Sequence, residues 1–309
     1  MTEARGEIKK SSMQGGWWRG DHCNFLLDKS LMIAGLPQTV EEYILKGLVP
    51  PAPFITKKHG VAAFGSCFAS GLYRRLHDWG YNVDPLAQHT NQPHHTHVTH
   101  HRSGMVNVYS ILQQFQWAYG EKDFTQDVWF NDPDCPASRE EEIKNNTKDF
   151  FNNVDVFVIT LGLSEVWFNK ETGDPFWRAV PKGIFDPDKH GFRVCSHAET
   201  KQALADIVSI IAKYRPQAKV VFSVSPVRLL ATFRPIGCFP ANSVSKAILR
   251  SAVDEVVRES QTGNLFYWPS YEIVTDVFPD PYLEDNRHPQ THVVKLIMDL
   301  FRKYYLVGE

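Results

Sequence analysis

Two short segments carry side chains whose types and spacing can do nucleophilic chemistry. The first is Gly65-Ser66-Cys67, directly after the apolar run Val61 to Phe64. A Cys or Ser entering a helix sits among unpaired backbone N–H groups, at the positive end of the helix dipole. That position favours an anionic side chain and suits a nucleophile. Most free cysteines are instead small buried residues, so Cys67 also reads as ordinary core. The second segment is Asp285-Asn286-Arg287-His288-Pro289. A carboxylate three residues before an imidazole can fix its tautomer by a hydrogen bond, leaving the other ring nitrogen as general base. The same spacing also fits an Asp capping the last helix beside a surface His.

Histidines 89, 94, 95, 97, 100 and 101 form a third concentration. Imidazole is a frequent metal ligand, yet no carboxylate or thiol is interspersed, and Gln, Thr, Asn and Pro flank the rings. We read the stretch as a solvated or site-rimming loop and expect neither metal nor cofactor. Basic residues form no stripe with interleaved aromatics, so no nucleic-acid surface is expected. The charged mixture at 139–148 reads as a solvated helical or loop face.

These candidates need elements to hold them. Val61 to Phe64 reads as a buried strand closed by Gly65. Phe68, Leu72 and Leu76 then recur at helical spacing, with Gly80 as the C-cap. A second strand is expected at 81–84, and further strands at 154–161, 218–224 and 265–268. Helices are expected at 198–214, at 243–260 with Asn242 as N-cap, and at 291–304. Alternating strands and helices predict βαβ units and a mostly parallel sheet covered on both faces. Residues 1–55 read as an N-terminal extension with one short helix at 39–47, packed on a domain spanning 56–309. The polar stretches 119–150 and 168–197 are too long for simple connections and are expected to rim a binding site. Ligands of an open parallel sheet gather beyond its carboxyl edge. There the sequence places Gly65-Ser66-Cys67, Gly162-Leu163-Ser164-Glu165, Ser225-Pro226 and the Asp285–His288 segment.

With 309 residues, 43% of them hydrophobic, the chain can bury one substantial core. Thirty-three basic residues against 35 acidic ones leave a formal charge of −2, which gives no net attraction to nucleic acid or anionic membranes. No apolar run approaches the ~18–20 residues that span a bilayer. The start MTEARGEIKK lacks the apolar core of a secretory signal. Cys23, Cys67, Cys135, Cys195 and Cys238 are scattered, without a CxxC pair. A cytoplasmic protein with reduced thiols is the expectation. Oligomeric state is left open.

Phe64-Gly65-Ser66-Cys67-Phe68-Ala69 contains the signature after which the GSCFA family is named, and other blocks resemble that family in order. They are Gly104-Met105-Val106-Asn107, Thr160 to Trp167, Val224-Ser225-Pro226-Val227, Pro269-Ser270-Tyr271-Glu272 and the ending Asp285 to Pro289. The GSCFA family in turn resembles the SGNH (GDSL) hydrolases. That resemblance implies a flavodoxin-like, three-layer α/β/α fold with a catalytic triad and an oxyanion hole. Cys67 falls on the nucleophile, with Ser66 as the alternative, and Asp285 and His288 match the DxxH pair. Gly104 matches the oxyanion glycine, and Asn107 in the same block belongs to the oxyanion or substrate-binding set. Ser164 stands where the superfamily has Asn, which shortens one donor; outright loss of such a donor costs about 10²–10³ in rate. Glu165 stands where Asp is usual and is expected to orient the loop.

The resemblance implies a hydrolase acting on esters or an acyltransferase, with O-acyl groups of a glycan as the substrate class. Trp129, Trp167, Trp177 and Tyr271 are the aromatics expected to suit a sugar. A glycan- or partner-binding module on the same scaffold is the alternative, and a metal enzyme built on the histidine loop is a third reading.

Overall fold

The computed structural model describes residues 24, 26, 36–85, 96–100, 104–129 and 139–308. Strand β1 (Val61–Phe64) is buried at every position, as are β2 (Val156–Leu161) and nearly all of β5 (Lys219–Val224). These runs are continuously apolar because both faces of the sheet are covered. With β6 (Leu265–Tyr267) they make a four-stranded, all-parallel sheet in the order β1-β2-β5-β6.

Side chains alternate across the sheet, so each strand feeds two cores. Phe64, Phe157, Ile159 and Phe222 pack on one face against α2 (Val108–Ala118), α3 (Glu140–Asn152), α4 (His197–Tyr214) and α5 (Cys238–Glu259). Ala63, Val156, Val158 and Val221 pack on the other against α1 (Cys67–Asp78) and α6 (Thr291–Tyr305). The result is an α/β/α sandwich. Residues 36–49 add a helical turn, Leu36–Thr39, and a π turn, Val40–Ile44, in place of the single helix expected at 39–47. Val40 and Leu45 join the second core.

Several boundaries differ from expectation for local reasons. No strand forms at 81–84; Asn82 only accepts one hydrogen bond, from Val61 N at 2.8 Å, before Pro85 removes a donor. Helix α5 starts at Cys238 with Gly237 as N-cap, because Pro240 fits a first turn whose N–H groups are unpaired in any case. Asn242 therefore lies inside the helix, and its Oδ1 accepts from Leu229 N at 3.1 Å. Helix α2 escaped the periodic reading because it is buried nearly all round, including Gln113 and Gln114.

The two long polar stretches contain regular structure. Within 119–150 lie a 3-10 turn, Gln126–Trp129, and α3. Across 168–197, β4 (His190–Val194) returns to pair antiparallel with β3 (Glu165–Asn169), Trp167 opposite Phe192, outside the main sheet.

Candidate active site

The turn after β1 is built to put a side chain at the carboxyl edge of the sheet. Gly65 has φ +126°, and a Cβ there would lie 2.0 Å from Thr160 O. Only glycine permits that backbone and that approach to β2. Ser66 N donates to Thr160 Oγ1 at 2.9 Å, and the two hydroxyls share a hydrogen bond at 2.8 Å. Ser66 Oγ also accepts from Phe68 N at 3.2 Å, which makes Ser66 the N-cap of α1. The Ser66 side chain is thus buried and fully engaged. Cys67, the first helical residue, is exposed and forms no disulfide among the described residues.

The neighbouring loops are laced to this edge by backbone hydrogen bonds. Val106 O accepts from Gly162 N at 2.7 Å and Leu163 N at 3.2 Å, and a Cβ on Gly162 would meet Val106 at 2.9 Å. The Gly104–Asn107 block and the Gly162–Ser164 turn are therefore brought together. Asn107 caps α2 through Oδ1, which accepts from Ser110 N at 2.8 Å. Ser225 N donates to Leu161 O at 2.8 Å, which adds the turn after β5.

Lys246 binds these turns from beneath. Its Nζ, fully buried in α5, donates to Gly162 O at 2.7 Å, Ser225 O at 2.7 Å and Val227 O at 3.0 Å. Three carbonyls match the three N–H donors of an ammonium. Burial, with Arg287 nearby, brings its pKa down to about 7. Sequence reasoning passed over this residue, although a lysine in phase with the buried stripe Ala241, Ser245, Leu249 and Val253 was a legible signal.

The Asp285–His288 loop closes the edge. His288 Nδ1 lies 2.5 Å from Asp285 Oδ2, while Asp285 Oδ1 accepts from Arg287 N and His288 N, each at 3.0 Å. The His288 side chain and these two N–H groups hold the Asp285 carboxyl well below the usual carboxylate range. An ionised carboxylate can only accept, so Nδ1 is the donor, and in the neutral ring the lone pair then sits on Nε2. Asn286 sits at φ +52°, in the left-handed region. Arg228 holds it there, donating to Asn286 O at 3.2 Å and to its side-chain oxygen. Arg287 Nε donates back to Arg228 O at 3.0 Å. The alternative reading of Asp285 as cap of the last helix does not hold, since Gln290 occupies that position.

Other expected residues lie elsewhere. Ser164 is buried, its N and its hydroxyl both donating to Ser245 Oγ on α5, at 2.7 and 3.3 Å. That hydroxyl is committed to Ser245 in the core. Glu165, also buried, accepts from Thr232 Oγ1 at 2.6 Å and so ties β3 to the segment before α5. Trp129 and Trp177 are buried with Trp117 in a separate aromatic core and offer no face to a sugar. Trp167 and Tyr271 are half-buried. Of the histidine stretch, His89, His94, His95 and His101 lie outside the described residues. His97 is buried, its ring 4.6 Å from Trp129. No group of three or more His, Cys, Asp or Glu among the described residues could hold a metal. An open cavity of about 490 Å³ lies at the opposite, amino edge, lined by Lys57, Trp79 and Arg302.

A parallel sheet with a capped Ser-Cys turn on its first strand and an Asp–His pair at the same edge defines a class of three-layer α/β proteins. The chain belongs to the GSCFA family, whose model matches residues 60–301. No curated protein matches it. Among solved structures it is similar to an acetyl esterase mutant with acetate ion, at 12% identity over 80% of this chain and 93% of that one, TM-score 0.36. It is similar also to a carbohydrate esterase family 3 from Talaromyces cellulolyticus, at 11% identity over 80% and 93%, TM-score 0.36. Among the described residues no helix is long and apolar enough to cross a membrane.

Proposed function

We propose that the protein cleaves or transfers acyl groups held as esters, with Cys67 as nucleophile, His288 as general base and Asp285 as its orienting partner. The observation that carries this reading is the Asp285–His288 contact, which leaves Nε2 as the proton acceptor at the edge where Cys67 is exposed. His288 Nε2 takes the thiol proton as Cys67 Sγ bonds to the acyl carbon. The carbonyl oxygen gathers negative charge, and the backbone N–H groups of Cys67 and Gly104, with the Asn107 amide, are its donors. The ester C–O bond then breaks, and His288 returns the proton to the leaving alcohol. Water or an acceptor hydroxyl, deprotonated by His288, attacks the thioester and frees the thiol. Ser66 serves as the cap that fixes the turn. The SGNH resemblance stated from the sequence implies O-acyl groups of a glycan as the substrate class.

The test is hydrolysis of a chromogenic acetate ester, alongside acetate release from an O-acetylated oligosaccharide. Activity in wild type, lost in Cys67→Ala and in His288→Ala but kept in Ser66→Ala, supports the assignment. Equal activity in wild type and Cys67→Ala contradicts it.

A further inference from the structure

Arginines elsewhere on the protein pair with carboxylates, as Arg215 does with Asp155 and Arg250 with Glu272. Arg228 and Arg287 do not. Both are half-buried beside the Asp285–His288 loop, and neither has a carboxylate partner among the described residues. They are bound instead to each other's stretch of backbone. Arg287 Nε donates to Arg228 O at 3.0 Å, and Arg228 Nη1 donates to Asn286 O at 3.2 Å. Two like charges are thereby held side by side, an arrangement that costs energy until an anion answers it. Arg228 is fixed further by the Tyr282 ring, 3.8 Å from its guanidinium carbon. Arg287 spends only Nε, so both of its Nη groups are without a hydrogen bond among the described residues.

The carboxylates of the neighbourhood are engaged elsewhere or stand apart. Asp285 gives Oδ2 to His288 Nδ1 and Oδ1 to the backbone N–H groups of Arg287 and His288. Glu272 accepts from Arg250 and from Tyr267 Oη. Asp276 accepts from Thr275 Oγ1, and Glu284 is exposed and in no ion pair among the described residues. Arg287 also lies against the turns of the carboxyl edge. Burial lowers the Lys246 pKa and the charge of Arg287 adds to it, so the guanidinium is close to the ammonium that holds Gly162 O, Ser225 O and Val227 O. A half-buried guanidinium with its Nη pair uncommitted is a planar fork that matches the two oxygens of a carboxylate or a phosphate.

We infer that Arg287, backed by Arg228, binds an oxyanion, a carboxylate or a phosphate, carried close to the ester of the substrate. That the anion belongs to a substrate rests on the hydrolase reading; the anion site does not. The substrate class narrows from O-acyl glycans at large to acylated acidic ones, esters of a sugar acid or of a sugar phosphate.

The experiment compares kcat/KM for acetate esters of one nitrophenol scaffold whose ring carries, through a methylene that keeps the leaving groups matched, a neutral amide, a carboxylate or a phosphate. The wild type prefers at least one charged ester over the amide by about tenfold or more, and added salt narrows the gap. Which charged ester is preferred identifies the oxyanion. The preference falls to about one in Arg287→Gln and is intermediate in Arg287→Lys, which keeps the charge without the fork. Because the ratio is taken within each variant, partial loss of folded protein does not move it. Calorimetric titration of Cys67→Ala with inorganic phosphate and with glucuronate, against glucose as the neutral control, reads the anion site without turnover. If no ester is cleaved, anion binding that disappears when Arg287→Gln is added leaves the inference standing and the hydrolase reading fallen. A wild-type ratio near one, or a preference unchanged in Arg287→Gln, overturns the inference. Where no ester is cleaved, failure of Cys67→Ala to bind either anion, or binding unchanged by Arg287→Gln, overturns it as well.

Discussion

At the scale of single residues, adjacent side chains have opposite fates. Ser66 is buried and engaged by Thr160 and Phe68, whereas Cys67 is exposed. Ser66→Ala therefore costs stability, about 1–2 kcal/mol for a lost cap and an orphaned partner, and spares the chemistry. Thermal melts beside rate measurements check that split. Asp285→Asn leaves the loop's backbone acceptor in place but removes the carboxylate that sets the His288 tautomer. We expect a fall in rate of about 10²–10⁴-fold with little change in KM. Because the Asp285 pKa is depressed in the folded state, its contribution to stability is full above the unfolded carboxylate value. It is lost as pH falls through the folded value. The stability difference between wild type and Asp285→Asn should thus hold at neutral pH and shrink only below about pH 4, which acid titrations of both proteins would show.

At the scale of elements, the site is a set of turns held in register by one buried lysine. Lys246→Met leaves Gly162 O, Ser225 O and Val227 O without that donor. Each unpaired buried carbonyl is costly, and part of the penalty is offset by no longer burying an ammonium, so a loss of about 2–4 kcal/mol is expected. The sign of the pH effect follows from the lowered pKa of about 7. Between about 7 and about 10 the unfolded chain binds the proton and the folded one does not, so the lysine's contribution to stability rises with pH across that window. The wild type minus Lys246→Met difference in denaturation midpoint across that range reads this directly. The strands were legible because covered parallel strands are apolar runs, and the turns because glycine has few substitutes at φ +126°. Helix α2 and the β3–β4 ladder were not. One lacks a polar face, and the other joins two five-residue strands through a long connection, so neither leaves a local period.

At the scale of the whole molecule, the layered α/β architecture was readable from alternation alone, since each sheet face needs its own helices. What alternation cannot show is which aromatics turn inward. Trp129 and Trp177 sit in polar, Asp-rich sequence that fits a sugar contact as well as core, and the structure places them in an aromatic core with Trp117 and Ile143. Trp129→Ala should accordingly cost about 3–5 kcal/mol and leave the affinity for any sugar ester unchanged. Calorimetry with substrate-binding measurements separates the two. That Cys67 and the Asp285–His288 loop lie at one edge, far apart in the chain, follows from topology, because β1 and the turns bound to that loop share the carboxyl edge of a parallel sheet. The commitment of Ser164 to Ser245 depends on how α5 packs, which no local pattern encodes.

The most direct test of the central claim is intact-mass measurement after brief exposure to an activated ester. Wild type, Cys67→Ala, Ser66→Ala and His288→Ala are compared side by side. The account predicts a single acyl adduct in wild type and in Ser66→Ala, and none in Cys67→Ala or His288→Ala. An adduct that persists in Cys67→Ala and disappears in Ser66→Ala would contradict it and move the nucleophile to the capping serine.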